Sequence, residues 1–270
     1  MVSAHKFLTD PEARRQAVTE YRETGYIVLR EVFAPAELSQ MHHTWAAIGE
    51  DRQQQGKRPY TTLLMTHLSN SGVAEIVRNR ALLGCVEGLL DGRIELIQSQ
   101  LMFGIPGNKG FSPHQDNFYN RAEPKDGIIA AWIALENVDE ENGCLAVFPR
   151  SHLNGLAKTR RDWLYLLSRA PDVAKSLIRL TSSKARTLPN DSGVIERYVY
   201  AEAPDNAKAV AVTMEEGSVV FMHGDTIHYS YPNRTTDRFR RSLLTNYVRV
   251  GTTFAAGKLT GRVPFDVYAA

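Results

Sequence analysis

Two side chains able to bind a metal stand close together at His114 and Asp116, in a segment that follows a loop rich in glycine and proline. If this segment is extended, side chains alternate between its two faces, so His114 and Asp116 point the same way and Gln115 points to the other. An imidazole and a carboxylate placed together can bind a divalent metal ion. The same triplet also fits a loop with a surface histidine and a turn aspartate.

A third ligand is predicted from the stretch 217–230. Its first part reads as a strand, a Gly-Asp turn follows, and His228 then opens the next strand, where a rigid element would hold it. His223, at the end of the first strand, is the alternative ligand or a half-buried structural histidine. Two histidines and one carboxylate are the facial triad of non-haem iron(II) oxygenases, which leaves metal positions open for substrate and oxygen. The triad predicted here is therefore His114, Asp116 and His228.

The composition is that of an ordinary globular protein with a small-molecule partner. The 270 residues carry 32 basic and 30 acidic side chains, a formal net charge of +2, so no strong field indicates nucleic acid or an anionic membrane. Cys85 and Cys144 lie in apolar runs, where a free thiol packs as a small hydrophobe. Without a signal-peptide pattern at the N-terminus, we expect a cytoplasmic protein.

The elements change character along the chain. Helices are predicted at 10–24, ended by Gly25, at 35–49 and at 73–90, with a short strand at 26–29. From Ile94 onward, β-rich stretches alternate with turn clusters. These stretches are 94–103, 128–135, 144–148, 208–213, 217–223 and 240–250. Strands joined by loops predict an antiparallel sandwich or barrel, here one domain over 1–270 in which residues 1–92 are helical support.

An insert of about 50 residues, 155–205, interrupts the strands. Its segments 163–167 and 173–180 have a helical pattern, so the insert is predicted to be partly helical. Loops in compact domains are much shorter. We therefore expect this insert to cover a site or to meet another subunit in a homo-oligomer.

Five motifs in order along the chain resemble the phytanoyl-CoA dioxygenase family. The motifs are 21–29 with 35–38, 114–116, 142–152, 228–233 and 238–242. The resemblance implies a double-stranded β-helix, a jelly-roll barrel of the cupin-like type, mainly β with flanking N-terminal helices. It also implies Fe(II) as the metal, 2-oxoglutarate as co-substrate and O2 as oxidant.

The resemblance further implies an arginine that grips the far carboxylate of 2-oxoglutarate, since a guanidinium matches a carboxylate as a bidentate fork. It favours Arg240, although the spacing from His228 is one residue longer than expected, which leaves Arg241 open; Arg238 is expected to face solvent. Alternation adds Ser242 to the face of Arg240.

Other side chains are assigned on the same resemblance or as neighbours of the motifs. Ser230 and Gln98 match co-substrate contacts, although Ser230 also fits a hydroxyl bonded to backbone and Gln98 a structural amide. The candidates for substrate contact are Asn117, Tyr119, Gln100 and Trp132. Each of these also fits a place in the barrel core.

The reaction implied is oxidation of an unactivated C–H bond, hydroxylation by default, with release of succinate and CO2. An aromatic, partly polar lining suits a small natural product or a modified amino acid, as in secondary metabolism. The segment Phe103-Gly104 replaces a lysine common in the family, which weakens the case for an acyl-CoA. The alternatives are a cupin-type metalloenzyme that does not use 2-oxoglutarate and a non-catalytic metal-binding module on the same fold.

Overall fold

The computed structural model describes residues 2–161, 199–258 and 260–269. Its α-helices are α1 Ala4–Thr9, α2 Pro11–Thr24, α3 Pro35–Gln54, α4 Ser71–Val77, α5 Arg80–Leu90 and α6 Asp116–Asn120. Its strands are β1 Val2–Ser3, β2 Tyr26–Arg30, β3 Leu63–Leu64, β4 Ile94–Met102, β5 Ile128–Ala134, β6 Leu145–Val147, β7 Thr159–Arg161, β8 Val199–Ala201, β9 Val210–Val212, β10 Val219–His223, β11 His228–Ser230 and β12 Ser242–Arg249. Short 3-10 turns lie at Thr66–Leu68, Lys125–Gly127 and Ser151–Asn154.

The N-terminal helix-strand unit forms as its local signals predict. The Asp10 side chain accepts hydrogen bonds from the backbone N–H groups of Glu12 and Ala13, and Pro11 occupies the first turn of α2. Gly25 ends the helix with φ +85°, a left-handed conformation that glycine adopts without a steric penalty. The chain then turns directly into β2, which joins the large sheet beside β10.

The large sheet has seven strands in the order β1-β2-β10-β5-β12-β4-β3. On β12, Leu243 and Tyr247 pack in the core formed with the N-terminal helices, whereas Leu244 and Asn246 line a cavity on the other face. Alternation along the strand therefore separates a helix-covered face from a functional face.

A smaller sheet, β11-β6-β9, packs against the second face of the large one. Leu145 and Val147 of β6 and Val212 of β9 share a core with Trp132 and Val220 of the large sheet. The predicted jelly-roll with flanking helices is confirmed, although the described strands form two facing sheets and a separate β7-β8 pair and do not close into a barrel. The cavity lies between them.

Two expectations need correction. The predicted helix 73–90 is two helices, α4 and α5, because the chain is interrupted at Arg78 and Asn79, and Asn79 caps α5 through a bond from Leu82 N–H. The triplet at 114–116 is not extended throughout, since Asp116 is the first residue of α6. The β-rich stretches from Ile94 onward contain strands as predicted.

The two ends of the insert pair with each other, β7 antiparallel to β8. The helical segments predicted at 163–167 and 173–180, and with them the covering role, fall outside the described residues. Among the helices that the structure describes, none is long and apolar enough to cross a bilayer.

Candidate metal centre and adjoining cavity

His114, Asp116 and His228 come together between the two sheets. Their ligand atoms lie within 4.8 Å of one another. Oδ1 of Asp116 is 3.7 Å from Nε2 of His114 and 3.8 Å from Nε2 of His228. The three atoms can therefore contact one ion, as the sequence pattern predicts.

Backbone contacts fix the orientation of both imidazoles. His114 and His228 exchange backbone hydrogen bonds of 2.9 and 3.0 Å, which set the two rings side by side. Nδ1 of His114 lies 2.8 Å from the Ser112 carbonyl oxygen, and Nδ1 of His228 lies 3.0 Å from that of Thr226. Because a carbonyl oxygen only accepts, each Nδ1 carries the proton and each Nε2 offers its lone pair to a metal.

Asn246 on β12 holds the carboxylate of Asp116. Its Nδ2 donates to Oδ2 of Asp116 over 3.1 Å, so Oδ1 is the oxygen that faces the two imidazoles. Asn246 is buried and lines the cavity. Asn246 was not among the residues predicted for the site, although alternation from Ser242 along β12 places it on the same face.

Gln115 and Asn117 flank Asp116 and stabilise the surrounding loops through hydrogen bonds. Gln115 donates to the carbonyl oxygens of Asp225 and Gly155 and accepts from Ala157 N–H. The Asn117 amide donates to Asp225 Oδ1 over 2.9 Å and accepts from Ala122 N–H over 2.6 Å. Asn117 is only 1% exposed and does not line the cavity, which corrects its assignment as a substrate contact.

A cavity of about 330 Å³ opens beside the three ligand residues. It is lined by many of the side chains predicted for the site. These are Gln98, Gln100, Tyr119, Trp132, Ser230 and Arg240. Ser242 is buried behind this lining.

Arg240 is a buried cation at one end of the cavity. Its side chain is 2% exposed, and its Nη1 has no hydrogen-bond partner among the described residues. Burial lowers the pKa of its guanidinium to about 10, so the group keeps its charge at neutral pH. Arg241, the alternative, binds Glu136 and does not line the cavity. Arg238 lies outside the cavity in an ion pair with Asp139, instead of simply facing solvent.

Two further buried donors accompany Arg240. Trp132 Nε1 and Ser242 Oγ also lack a partner within the described chain, and the Arg240 guanidinium carbon lies 5.7 Å from the Trp132 ring centre. Buried donors in proteins are normally satisfied, so the unpartnered groups of Arg240 and Trp132, which both line the cavity, indicate a site for an anion.

The sequence profile of the family described as "Phytanoyl-CoA dioxygenase (PhyH)" matches residues 21–242. The chain belongs to this family. The protein "Phytanoyl-CoA dioxygenase domain-containing protein 1" of Rattus norvegicus is 30% identical over 63% of this chain and 52% of its own length. The "Phytanoyl-CoA dioxygenase" of Arabidopsis thaliana is 30% identical over 51% and 39%. The chain thus spans about half or less of the length of these relatives.

Solved structures share the fold of this PhyH family member. The apo non-heme monooxygenase ThoJ has a TM-score of 0.69 at 20% identity, over 93% of this chain and 85% of its own. The epimerase SnoN, in complex with Fe3+, alpha ketoglutarate and nogalamycin RO, has a TM-score of 0.65 at 18% identity, over 91% and 87%. EctD from S. alaskensis, with 2-oxoglutarate and 5-hydroxyectoine, has a TM-score of 0.60 at 18% identity, over 87% and 76%.

Other predicted residues of this family member have additional contacts. Ser230 Oγ accepts from Phe111 N–H over 2.9 Å, which leaves its hydroxyl proton to donate into the cavity it lines. Gln98 Oε1 accepts from Arg262 Nε over 2.7 Å. His223 lies apart from the three ligands; its Nδ1 accepts from Asp225 N–H, and burial together with His152 lowers its pKa.

The family match ends at Ser242, yet the chain beyond it completes the cavity. Asn246 and four residues of the C-terminal segment are among the lining residues. The four are Gly257, Lys258, Thr260 and Arg262. Their spacing carries no metal or nucleophile pattern, so they could not be predicted from the sequence.

Proposed function

We propose that this chain is an Fe(II)/2-oxoglutarate-dependent dioxygenase that oxidises a C–H bond of a small molecule. The observation that carries the proposal is the pairing of a facial triad with the buried Arg240, whose Nη1 has no partner in the described part of the chain. A metal enzyme without a keto-acid co-substrate has no need of such an arginine. The alternative, a cupin-type enzyme or a binding module, leaves this buried cation unexplained.

His114, Asp116 and His228 would hold the iron through Nε2, Oδ1 and Nε2. When bound, iron and 2-oxoglutarate supply the oxidising chemistry, which consumes O2 and releases succinate and CO2. The Ser112 and Thr226 carbonyls keep each imidazole proton on Nδ1, away from the metal. Asn246 keeps one carboxylate oxygen of Asp116 engaged, which favours a single oxygen as ligand.

Arg240 would bind the far carboxylate of 2-oxoglutarate, because a guanidinium matches a carboxylate in shape and charge. Trp132 lines the cavity and supplies a further donor beside Arg240, whereas Ser242 is buried and does not line it. In this proposal Trp132 therefore contacts 2-oxoglutarate and not the substrate. Ser230 and Gln98 add polar groups to the cavity wall.

The molecule to be oxidised would meet Tyr119 and Gln100 on the cavity wall. An aromatic wall with a few amides suits a small natural product or a modified amino acid. The SnoN structure is a complex with a nogalamycin compound, and the EctD structure is one with 5-hydroxyectoine. These neighbours support a small metabolite as substrate, with hydroxylation as the default outcome.

The test is succinate formation from 2-oxoglutarate by the purified protein with Fe(II) and O2. We expect slow succinate release even without a second substrate, and in Arg240→Met a KM for 2-oxoglutarate raised at least about tenfold, since a hydrogen bond to a charged group contributes about 1.5–3 kcal/mol. Arg241→Met is the matched control and keeps the wild-type KM. Wild-type protein that forms no succinate would favour the cupin-type or binding-module alternative.

A further inference from the structure

Asn120 is a buried amide on the cavity wall that the proposed function does not use. It is 2% exposed and lines the same cavity as the metal ligands. Its Oδ1 is a buried acceptor to which none of the described residues donates a hydrogen bond. Buried acceptors in proteins normally have a partner, and one without a partner costs free energy. The amide of Asn120 therefore indicates a donor that a bound molecule supplies.

Helix α6 places this amide beside a metal ligand. Asp116 is the first residue of α6 and Asn120 is the last. Residues four positions apart lie on the same face of a helix, with their Cβ atoms about 5–6 Å apart. The terminal torsion of an asparagine side chain is soft, so its oxygen can turn toward a molecule in the cavity. A molecule that donates to Asn120 thus lies within about one helical turn of the ligand carboxylate.

The backbone around Asn120 is held on two sides. Ala255 N–H donates to the Asn120 carbonyl oxygen over 2.7 Å. Arg262 links the preceding residue to β4, because its Nη1 lies 3.4 Å from the Tyr119 carbonyl oxygen and its Nε donates to Gln98 over 2.7 Å. A side chain on a fixed backbone loses little conformational freedom when it binds a ligand, which favours selective binding.

The charges of the cavity wall favour a neutral donor. Among the lining residues that the structure describes, the one carboxylate is Asp116, which is the expected metal ligand. Arg240 and Lys258 line the same cavity and would repel a cation. A neutral hydroxyl or amide N–H needs only an acceptor, and the Asn120 oxygen is one.

We propose that Asn120 selects the substrate by accepting a hydrogen bond from a neutral hydroxyl or amide N–H group next to the C–H bond to be oxidised. This inference rests on the proposed function and adds a substrate class to it. A site with a buried acceptor discriminates against a molecule that lacks the matching donor, because the acceptor is then left unpaired. The same contact holds the neighbouring C–H bond beside Asp116.

The test compares three probes of nearly the same shape. Benzamide has neutral N–H donors, acetophenone has a methyl group in their place, and benzamidinium has donors that carry a charge. Full-length protein with Zn(II) and saturating 2-oxoglutarate is titrated with each probe by ligand-observed NMR. We expect benzamide to bind at least about fivefold more tightly than acetophenone, and benzamidinium to bind no more tightly than benzamide.

Three variants separate a binding role of Asn120 from a structural one. Asn120→Leu should bind benzamide and acetophenone equally, whereas a purely structural change would alter the affinity for both probes alike. Asn120→Asp keeps an oxygen acceptor and adds a charge, so it should now prefer benzamidinium to benzamide. Asn154→Leu, at an exposed asparagine outside the cavity, should keep the wild-type order. Should Asn120→Leu fail to fold, Asn120→Ala gives the same comparison.

Equal binding of benzamide and acetophenone by wild-type protein, tighter binding of benzamidinium by wild-type protein, or an unchanged preference for benzamide in Asn120→Leu would each overturn the proposal. The NMR signals of 2-oxoglutarate in the same samples test the proposed function separately. If 2-oxoglutarate does not bind, the proposed function fails, and the comparison of probes on the Zn(II) protein alone still decides whether Asn120 selects a neutral donor.

Discussion

Nδ2 of Asn246 donates a hydrogen bond of 3.1 Å to Oδ2 of Asp116, across 130 residues of sequence. The bond ties the loop that carries two metal ligands to β12, an interior strand of the large sheet. It also decides which carboxylate oxygen faces the imidazoles of His114 and His228. A residue outside the family match thus positions a ligand inside it.

Replacing Asn246 with leucine should weaken metal binding without unfolding the protein. Leucine keeps the branched side-chain shape but frees the Asp116 carboxylate, and loss of such a contact to a ligand costs about 10–100-fold in affinity. The measurement is Co(II) binding by calorimetry, with circular dichroism to check the fold. Asn154→Leu, at an exposed asparagine outside the cavity, is the control. Equal Co(II) affinity in Asn246→Leu and wild type would show that the contact does not position the ligand.

Asn117→Ala should lower stability and leave co-substrate binding intact. The change removes the hydrogen bond that Asn117 donates to Asp225 and the one that it accepts from Ala122. Buried polar groups left without a partner lower the free energy of unfolding by about 1–3 kcal/mol. Urea denaturation measures the loss, and the neighbouring, partly exposed Phe118→Ala serves as comparison. A raised KM for 2-oxoglutarate with unchanged stability would show that Asn117 contributes to ligand binding and not to the stability of the loop.

His67 should make the fold sensitive to acid. Burial lowers the pKa of His67 to about 4, and its Nδ1 lies 2.7 Å from Ser99 Oγ. Because the folded pKa lies below the unfolded value near 6.5, protons bind the unfolded chain more readily. The free energy of unfolding therefore falls as the pH drops below about 6.5, by about 1 kcal/mol between pH 7.5 and 5.5.

The check is urea denaturation of metal-free protein at both pH values. His67→Phe keeps a ring against Phe265 and should remove this part of the pH dependence. The control variant His43→Phe, at an exposed histidine, should keep the wild-type pH dependence of unfolding. A pH dependence identical in His67→Phe and wild type would mean that His67 is not the group responsible.

Local signals made much of the fold predictable. Gly25 ends α2 where the sequence places it, and the β-rich stretches became strands. The break between α4 and α5 was not predicted, since the apolar pattern runs through Asn79 without a glycine or proline. Its amide, as the cap of α5, makes the interruption possible.

The candidate site was predictable only in part, for a similar reason. His114, Asp116 and His228 have recognisable types and spacing, and alternation separates Arg240 from Arg241. The positions of Asn246 and Arg262 at the site depend on the pairing of β4 with β12 and on the path of the C-terminal segment. Those contacts are set by tertiary packing, which sequence spacing does not encode.

The central claim is that iron and 2-oxoglutarate bind together beside Arg240. The most direct measurement is visible absorption of the anaerobic protein with Fe(II) as 2-oxoglutarate is added. We predict a weak charge-transfer band that saturates with 2-oxoglutarate in wild type and in Arg241→Met, and needs at least about tenfold more co-substrate in Arg240→Met. No band in wild-type protein with Fe(II) bound, or an unchanged titration in Arg240→Met, would contradict the account.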